Sequence, residues 1–191
     1  MRHAVLVALG TGIGSGLLLD GRIYRGATGV GAELGHVVLD LHGPDCPSNC
    51  PGRGCMEALV SGNAIGREGA RLARERPDTV LGRRLAAGRE VSGGLVTELA
   101  HDGDETARLA LAEVGRRLGA ALTGVVNALN PEVIVIGGGA VAAGDFLLEP
   151  ARSVVAERAL PPAREIVRIV PTHFGDESGM LGAALLALES A

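Results

Sequence analysis

Residues 4–9, AVLVAL, form an apolar run that passes into the glycine turn GTGIGSG and then into LLLDGRIYRG. An apolar run of that length bounded by glycines reads as a buried strand. Asp20-Gly21 between two apolar runs is a two-residue hairpin signal, because both central residues of such a turn adopt positive φ. The chain must therefore open with antiparallel strands. A strand-to-helix crossover would place a helical pattern directly after the first glycines, and none is there.

The middle of the chain changes period. Residues 35–41, GHVVLDL, read as one more strand, followed by a Cys-, Pro- and Gly-rich loop. Helices are expected over 57–75 and 79–88, broken at Pro77. HDGDETARLALAEVGRRLGAALTGVVNALNP is expected to be one long helix. Asp102 and Glu105 suit a capping box at its start, and Leu111, Val114, Leu118, Leu122, Val125 and Leu129 form its apolar stripe. Pro131 marks its end. EVIVIGGG is a buried strand, 145–158 a helix, EIVRIVP a strand and SGMLGAALLALES a closing helix. The order predicts an α/β fold: a mixed sheet that starts with an antiparallel meander, flanked by helices.

Composition excludes some functions. Aromatics make up 2% of the chain and the formal net charge is −4, so it carries neither the stacking platforms nor the basic footprint of a nucleic-acid binder. Its arginines recur at helical spacing, as in GREGARLARER, which is the pattern of a solvated helix face. No apolar run reaches membrane-spanning length and the N-terminus does not resemble a signal peptide, so a cytoplasmic, reducing setting is expected.

Two glycine turns leave apolar strands. GTGIGSG lacks the GK[ST] ending of a P-loop, and no helix follows it as the dinucleotide fingerprint requires. GGGAVA does match G-x-G-x-x-A, with Glu157 about twenty residues on, which leaves a dinucleotide-binding enzyme as a rival reading. Taken together, Gly10, Thr11 and Gly12 at one turn and Gly137, Gly138 and Gly139 at the other could hold one nucleotide between them, or be plain turns at a sheet edge. The three cysteines of the chain fall in one run with two of its histidines. Disulfides, free thiols beside a core histidine and a metal site are the possible readings. In a reducing setting metal precedes disulfide. His36, Cys46, Cys50 and Cys55 make a Cys₃His set suited to tetrahedral structural zinc, with His42 as the alternative nitrogen donor. Glu33 and Glu57 frame the cluster. A metal joining His36 to Cys55 would hold these carboxylates near each other, a pairing suited to polyol hydroxyls.

LGTGIGSGLLLDGRIYRGATGVGAELGH, the Cys knuckle, GCMEALVSGNAIGREG, NPEVIVIGGG and GDESGMLGAALLAL together resemble the ROK family of bacterial sugar kinases and sugar-responsive repressors, over nearly the whole chain. The resemblance implies an actin/hexokinase-like (ribonuclease H-like) fold with a zinc-binding loop. It implies ATP phosphates at Gly10, Thr11 and Gly12, the nucleoside at Gly137, Gly138 and Gly139, and Mg²⁺ with the ATP. Sugar hydroxyls would meet Glu33, His36 and Glu57, and zinc would sit on His36, Cys46, Cys50 and Cys55. Two features depart from the family pattern. The usual C-x-C-G-x-x-G-C knuckle is here C-x-x-x-C with Pro after the second Cys. The smaller lobe, with its own phosphate turn and an Asn-Asp element whose Asp is the general base, would precede residue 1. The expectation is thus that residues 1–191 are a single C-terminal lobe, with the zinc knuckle at 36–57, of a kinase that phosphorylates a hexose such as glucose. Little activity is expected of this lobe alone, and a homodimer in the whole protein. A sugar-sensing regulator is the alternative.

Overall fold

A computed structural model describes residues 1–189. Strands β1 (Ala4–Leu9), β2 (Ile13–Leu19) and β3 (Arg22–Ile23) form the expected meander. Asp20 and Gly21 have φ of 54° and 76°, the left-handed pair that a tight hairpin requires. β4 (Val133–Gly137) then pairs with β1 in parallel, with Ala8 opposite Gly137, and β5 (Arg168–Pro171) adds in parallel beyond it. The described sheet has the order β3-β2-β1-β4-β5. Glu132 fixes the start of the β1–β4 pairing: its Oε1 accepts the backbone N–H groups of Arg2 and His3 at 2.6 and 3.0 Å.

The helices are α1 (Met56–Val60), α2 (Gly62–Glu75), α3 (Val80–Ala86), α4 (Gly93–His101), α5 (Glu105–Leu129), α6 (Asp145–Arg158), α7 (Ala163–Ile166) and α8 (Ser178–Glu189). α5 is the central prop. Leu111, Val114, Leu118 and Leu122 are each 0% exposed, as its stripe predicted, and share one core with Val5, Val7, Leu9, Ile134 and Ile136. α6 lies tightly on α5 because Gly115 and Gly119 leave room. A Cβ on Gly119 would fall 2.6 Å from the Ala151 carbonyl oxygen. The other sheet face stays more open, with Leu6 41% and Ile23 46% exposed. No helix among the described residues is long and apolar enough to cross a membrane.

Four local expectations need correction. GHVVLDL is not a strand: residues 34–36 form a 3₁₀ turn, and the run pairs only through an isolated Val38–Cys55 bridge. Its alternation lacks a neighbouring strand edge, so it folds as a strap instead. The helix expected over 57–75 breaks at Ser61, whose φ and ψ are −62° and 171°. The strand within EIVRIVP is shorter, because residues 163–166 are helical. The start of α5 is capped by Asp104, not Asp102. Asp104 Oδ1 accepts from Ala107 N at 2.9 Å and Oδ2 from Leu81 N at 3.1 Å, whereas Asp102 is the C-cap of α4. A turn between the two helices decides which aspartate faces the free amides. α4 itself follows Ser92, whose Oγ accepts from Leu95 N.

α2 and α5 are joined by a buried carboxylate. Glu68 is 5% exposed and takes Arg71 at 2.6 Å and Arg117 at 3.1 Å. Burial pushes its carboxyl up, but these two guanidinium groups more than offset that and hold it below its ordinary value.

Replacing Asp104 by Ala removes two amide partners and should cost about 1–2 kcal/mol. Asp102→Ala should stay within about 0.5 kcal/mol, as an exposed substitution does. Urea unfolding of the two variants checks the assignment.

Candidate functional site

Both glycine turns leave the same edge of the sheet, because β1 and β4 run parallel. Gly10, Thr11 and Gly139 line a cleft of about 1030 Å³. The other candidates of these turns support it from behind. Gly12 faces away, against Glu57; Gly137 is the last residue of β4. Gly138, at φ 80°, packs on β1, where a Cβ would lie 2.5 Å from the Leu9 carbonyl oxygen. The chain beyond Gly138 enters a short 3₁₀ helix (Gly139–Ala143), not an α-helix N-terminus. The pyrophosphate seat of a dinucleotide fingerprint is therefore not formed at this turn.

Two helices begin at the cleft. α2 starts at Gly62, whose N–H donates to the Gly10 carbonyl at 2.8 Å. α4 starts at Gly93, close enough to Gly62 that a Cβ there would collide with the Gly62 carbonyl. The positive dipole ends of both helices thus border the Gly10–Thr11 turn, an arrangement suited to anionic groups. Farther along α4, Thr97 and Glu98 line the same cleft, and His101 Nε2 lies 2.9 Å from the Ala142 carbonyl oxygen, tying α4 to the 3₁₀ helix after β4. Sequence reasoning missed this wall, although Ser92 followed by GGLVTELAH carried the signal: a capping residue ahead of apolar residues at helical spacing.

A second group of side chains lies behind the turn. Ser15 of β2 holds the strap that bears Glu33 and His36: its Oγ donates to the Ala32 carbonyl and accepts from Leu34 N. Gly35 packs directly on Ile13. From there polar atoms follow one another. His36 Nε2 lies 4.0 Å from Glu33 Oε2, His36 Nδ1 3.8 Å from Cys46 Sγ, and Cys46 Sγ 3.7 Å from Glu57 Oε1. The side chain of Glu33 is 66% exposed, whereas Glu57 is 5% exposed and accepts the Ile13 N–H on Oε2 at 2.7 Å.

His36, Cys46 and Cys55 offer donor atoms all within 4.8 Å of one another. One imidazole and two thiols at that spacing fit a soft or borderline metal ion. Cys50 stands outside the triad, its Sγ accepting from Gly52 N at 3.3 Å. Burial pushes the Cys55 thiol up, and the Cys46 and Cys50 sulfurs add to the effect. At Cys46 burial acts the same way, but hydrogen bonds from Ser48 outweigh it and bring the thiol below its ordinary value. In protein stripped of metal, iodoacetamide should alkylate Cys46 well before buried Cys55. Peptide mass spectrometry over time reads the order, and equal rates would contradict the arrangement.

A family model described as the ROK family matches residues 1–190. A glucokinase from Thermotoga maritima is 36% identical over 188 residues, 98% of this chain and 58% of that protein. A xylose repressor from Bacillus spizizenii is 28% identical over 98% of this chain and 44% of its own length. Among solved structures, a ROK family glucokinase from Streptomyces griseus in complex with glucose and AMPPNP superposes with a TM-score of 0.86 at 29% identity, over 97% of this chain and 60% of that one. A ROK family transcriptional regulator, a homologue of the E. coli MLC protein, superposes with a TM-score of 0.82 at 33% identity, over 97% of this chain and 45% of that one. The chain therefore spans less than two thirds of these relatives.

Proposed function

The chain belongs to the ROK family, and on that premise we propose that residues 1–191 are the larger lobe of an ATP-dependent hexose kinase, with glucose as the favoured sugar. The observation that carries the reading is the shared cleft: Gly10 and Thr11 at one turn and Gly139 at the other face a single space bordered by two helix N-termini. Triphosphate at the first turn would meet backbone N–H groups and the Thr11 hydroxyl. The nucleoside would lie toward Gly139, with Gly137 and Gly138 shaping the turn behind it. Gly12 would serve by admitting the carboxylate beneath the turn. Mg²⁺ at the phosphates would neutralise charge as the γ-phosphoryl group leaves.

On the sugar side Glu33 and His36 are the exposed and half-buried members, and the similarity to a glucokinase at 36% identity favours a hexose there. Glu57 would add its Oε1. On this reading no residue of this chain is the proton acceptor for the sugar hydroxyl; an Asn-Asp element of a second lobe would supply it. A structural zinc ion would be held by His36, Cys46 and Cys55, and its coordination would close once the Cys50 sulfur turned in from Gly52 N as the fourth donor. A cytoplasmic homodimer in the whole protein completes the proposal.

Similarity to a regulator at 33% identity and to xylose repressors supports a second reading, a lobe that senses sugar without phosphoryl transfer. Calorimetry with Mg²⁺ and AMPPNP separates the two. The kinase reading expects the purified chain to bind the nucleotide, and Thr11→Ala to weaken it about five- to tenfold, the worth of one hydrogen bond. Sugar binding by folded protein without nucleotide binding would favour the sensor. Elemental analysis should find about one zinc per chain in protein purified without chelator, and His36→Ala should lower that content.

A further inference from the structure

Glu57 lies in the first turn of α1, two residues after Cys55, yet it is 5% exposed. A carboxylate so placed needs partners, because burying a charge without them is costly. Its two oxygens face different parts of the molecule. Oε2 accepts the Ile13 N–H at 2.7 Å, where β2 leaves the Gly10–Gly12 turn. Oε1 faces Cys46 Sγ at 3.7 Å, on the loop side. Gly12 is the residue that permits this fit, since a Cβ there would lie 2.5 Å from Oε2.

The turn is held from both ends of α1. Glu57 takes Ile13 N at the start, and Gly62, just past the end, donates to the Gly10 carbonyl at 2.8 Å. Between these two grips, Gly10 N bonds the Gly12 carbonyl at 2.9 Å. α1 is in turn bound to the strap and loop: Met56 N donates to the Val37 carbonyl at 2.9 Å, and Cys55 bridges to Val38. The strap also touches the ribbon directly, through Ser15 and through Gly35 on Ile13. From the Cys46 side of the loop, Glu57 gives a direct route to the turn through one buried side chain.

We infer that Glu57 is a positioning residue that couples the Cys/His loop to the Gly10–Ile13 turn, so that what contacts its Oε1 alters the turn held by its Oε2. The coupling rests on contacts within the chain. Its consequence rests on the proposed function: with a sugar hydroxyl on the loop side and phosphates at the turn, each ligand changes the affinity for the other by the same factor, as linkage requires.

Amide hydrogen exchange of the purified chain, followed by NMR, tests the coupling without any ligand. Glu57→Leu should speed exchange at Ile13 roughly tenfold or more, the loss of a hydrogen bond to a charged group. Glu57→Gln should restore most of the protection, because its carbonyl still accepts. Cys46→Ala, which removes the Oε1 contact along with the Sγ contacts to His36 and Ser48, should raise Ile13 exchange by a smaller factor. Amides of α5 between Val114 and Leu122 report whether each variant is folded. Should Glu57→Leu fail that control, Gly12→Ala takes its place, displacing the carboxylate and exposing the same amide. Unchanged Ile13 exchange in folded Glu57→Leu or Gly12→Ala, or equal exchange in the Leu and Gln variants, overturns the positioning role. Unchanged exchange in Cys46→Ala overturns the link to the loop. AMPPNP failing to bind the wild-type chain would instead remove the nucleotide reading and leave the exchange results standing.

Discussion

Parallel pairing of β1 with β4 decides where everything else can go. Ala8 stands opposite Gly137, so the two strands end side by side at one edge of the sheet. Their glycine turns must then emerge together. In open α/β sheets, ligands bind beyond the carboxyl ends of parallel strands, where connections diverge. Here the connections diverge sharply: β1 returns at once as the antiparallel β2, whereas β4 passes through a 3₁₀ helix into α6. The space between those departures is the cleft. α5 makes the arrangement possible by burying its leucine stripe under both strands.

The cleft and the Cys/His loop are not separate modules. β2 carries Ser15 and Ile13, and both reach the loop side: Ser15 fastens the strap with Glu33 and His36, and Ile13 donates to Glu57. One two-stranded ribbon thus presents its turn to the cleft and its flank to the loop. Rigidity follows from burial: Cys55, Met56 and Val60 are 2% exposed or less, so α1 cannot tilt without opening the core. A group with the ordered donors of this loop gains precision from being built on such elements.

Much of the fold was legible because it is local. Asp20-Gly21 announced the hairpin, and the 3.6-residue spacing of Leu111, Val114, Leu118 and Leu122 announced α5. Short elements were less legible. GHVVLDL alternates like a strand, yet no strand edge lies beside it, so its apolar residues Val37, Val38 and Leu41 remain well exposed. Asp102 and Asp104 both carry capping chemistry, and only the path of the turn between α4 and α5 chose the second. For the candidate site, residue types and their proximity in sequence pointed to the Cys/His group and to the glycine turns. The opposite wall at Ser92–His101 was overlooked because its signal is a helix start with two glycines.

Taken alone, the sequence determined the antiparallel opening, the long central helix and the chemical types gathered between Glu33 and Glu57, since each is written in neighbouring residues. The tertiary structure decided which of those groups meet. Parallel pairing brought Gly139 to Gly10, the fold of the loop set His36, Cys46 and Cys55 together while leaving Cys50 aside, and burial turned Glu57 inward onto Ile13. Contacts between residues far apart in the chain have no periodicity to announce them. They follow from the geometry in which the core closes.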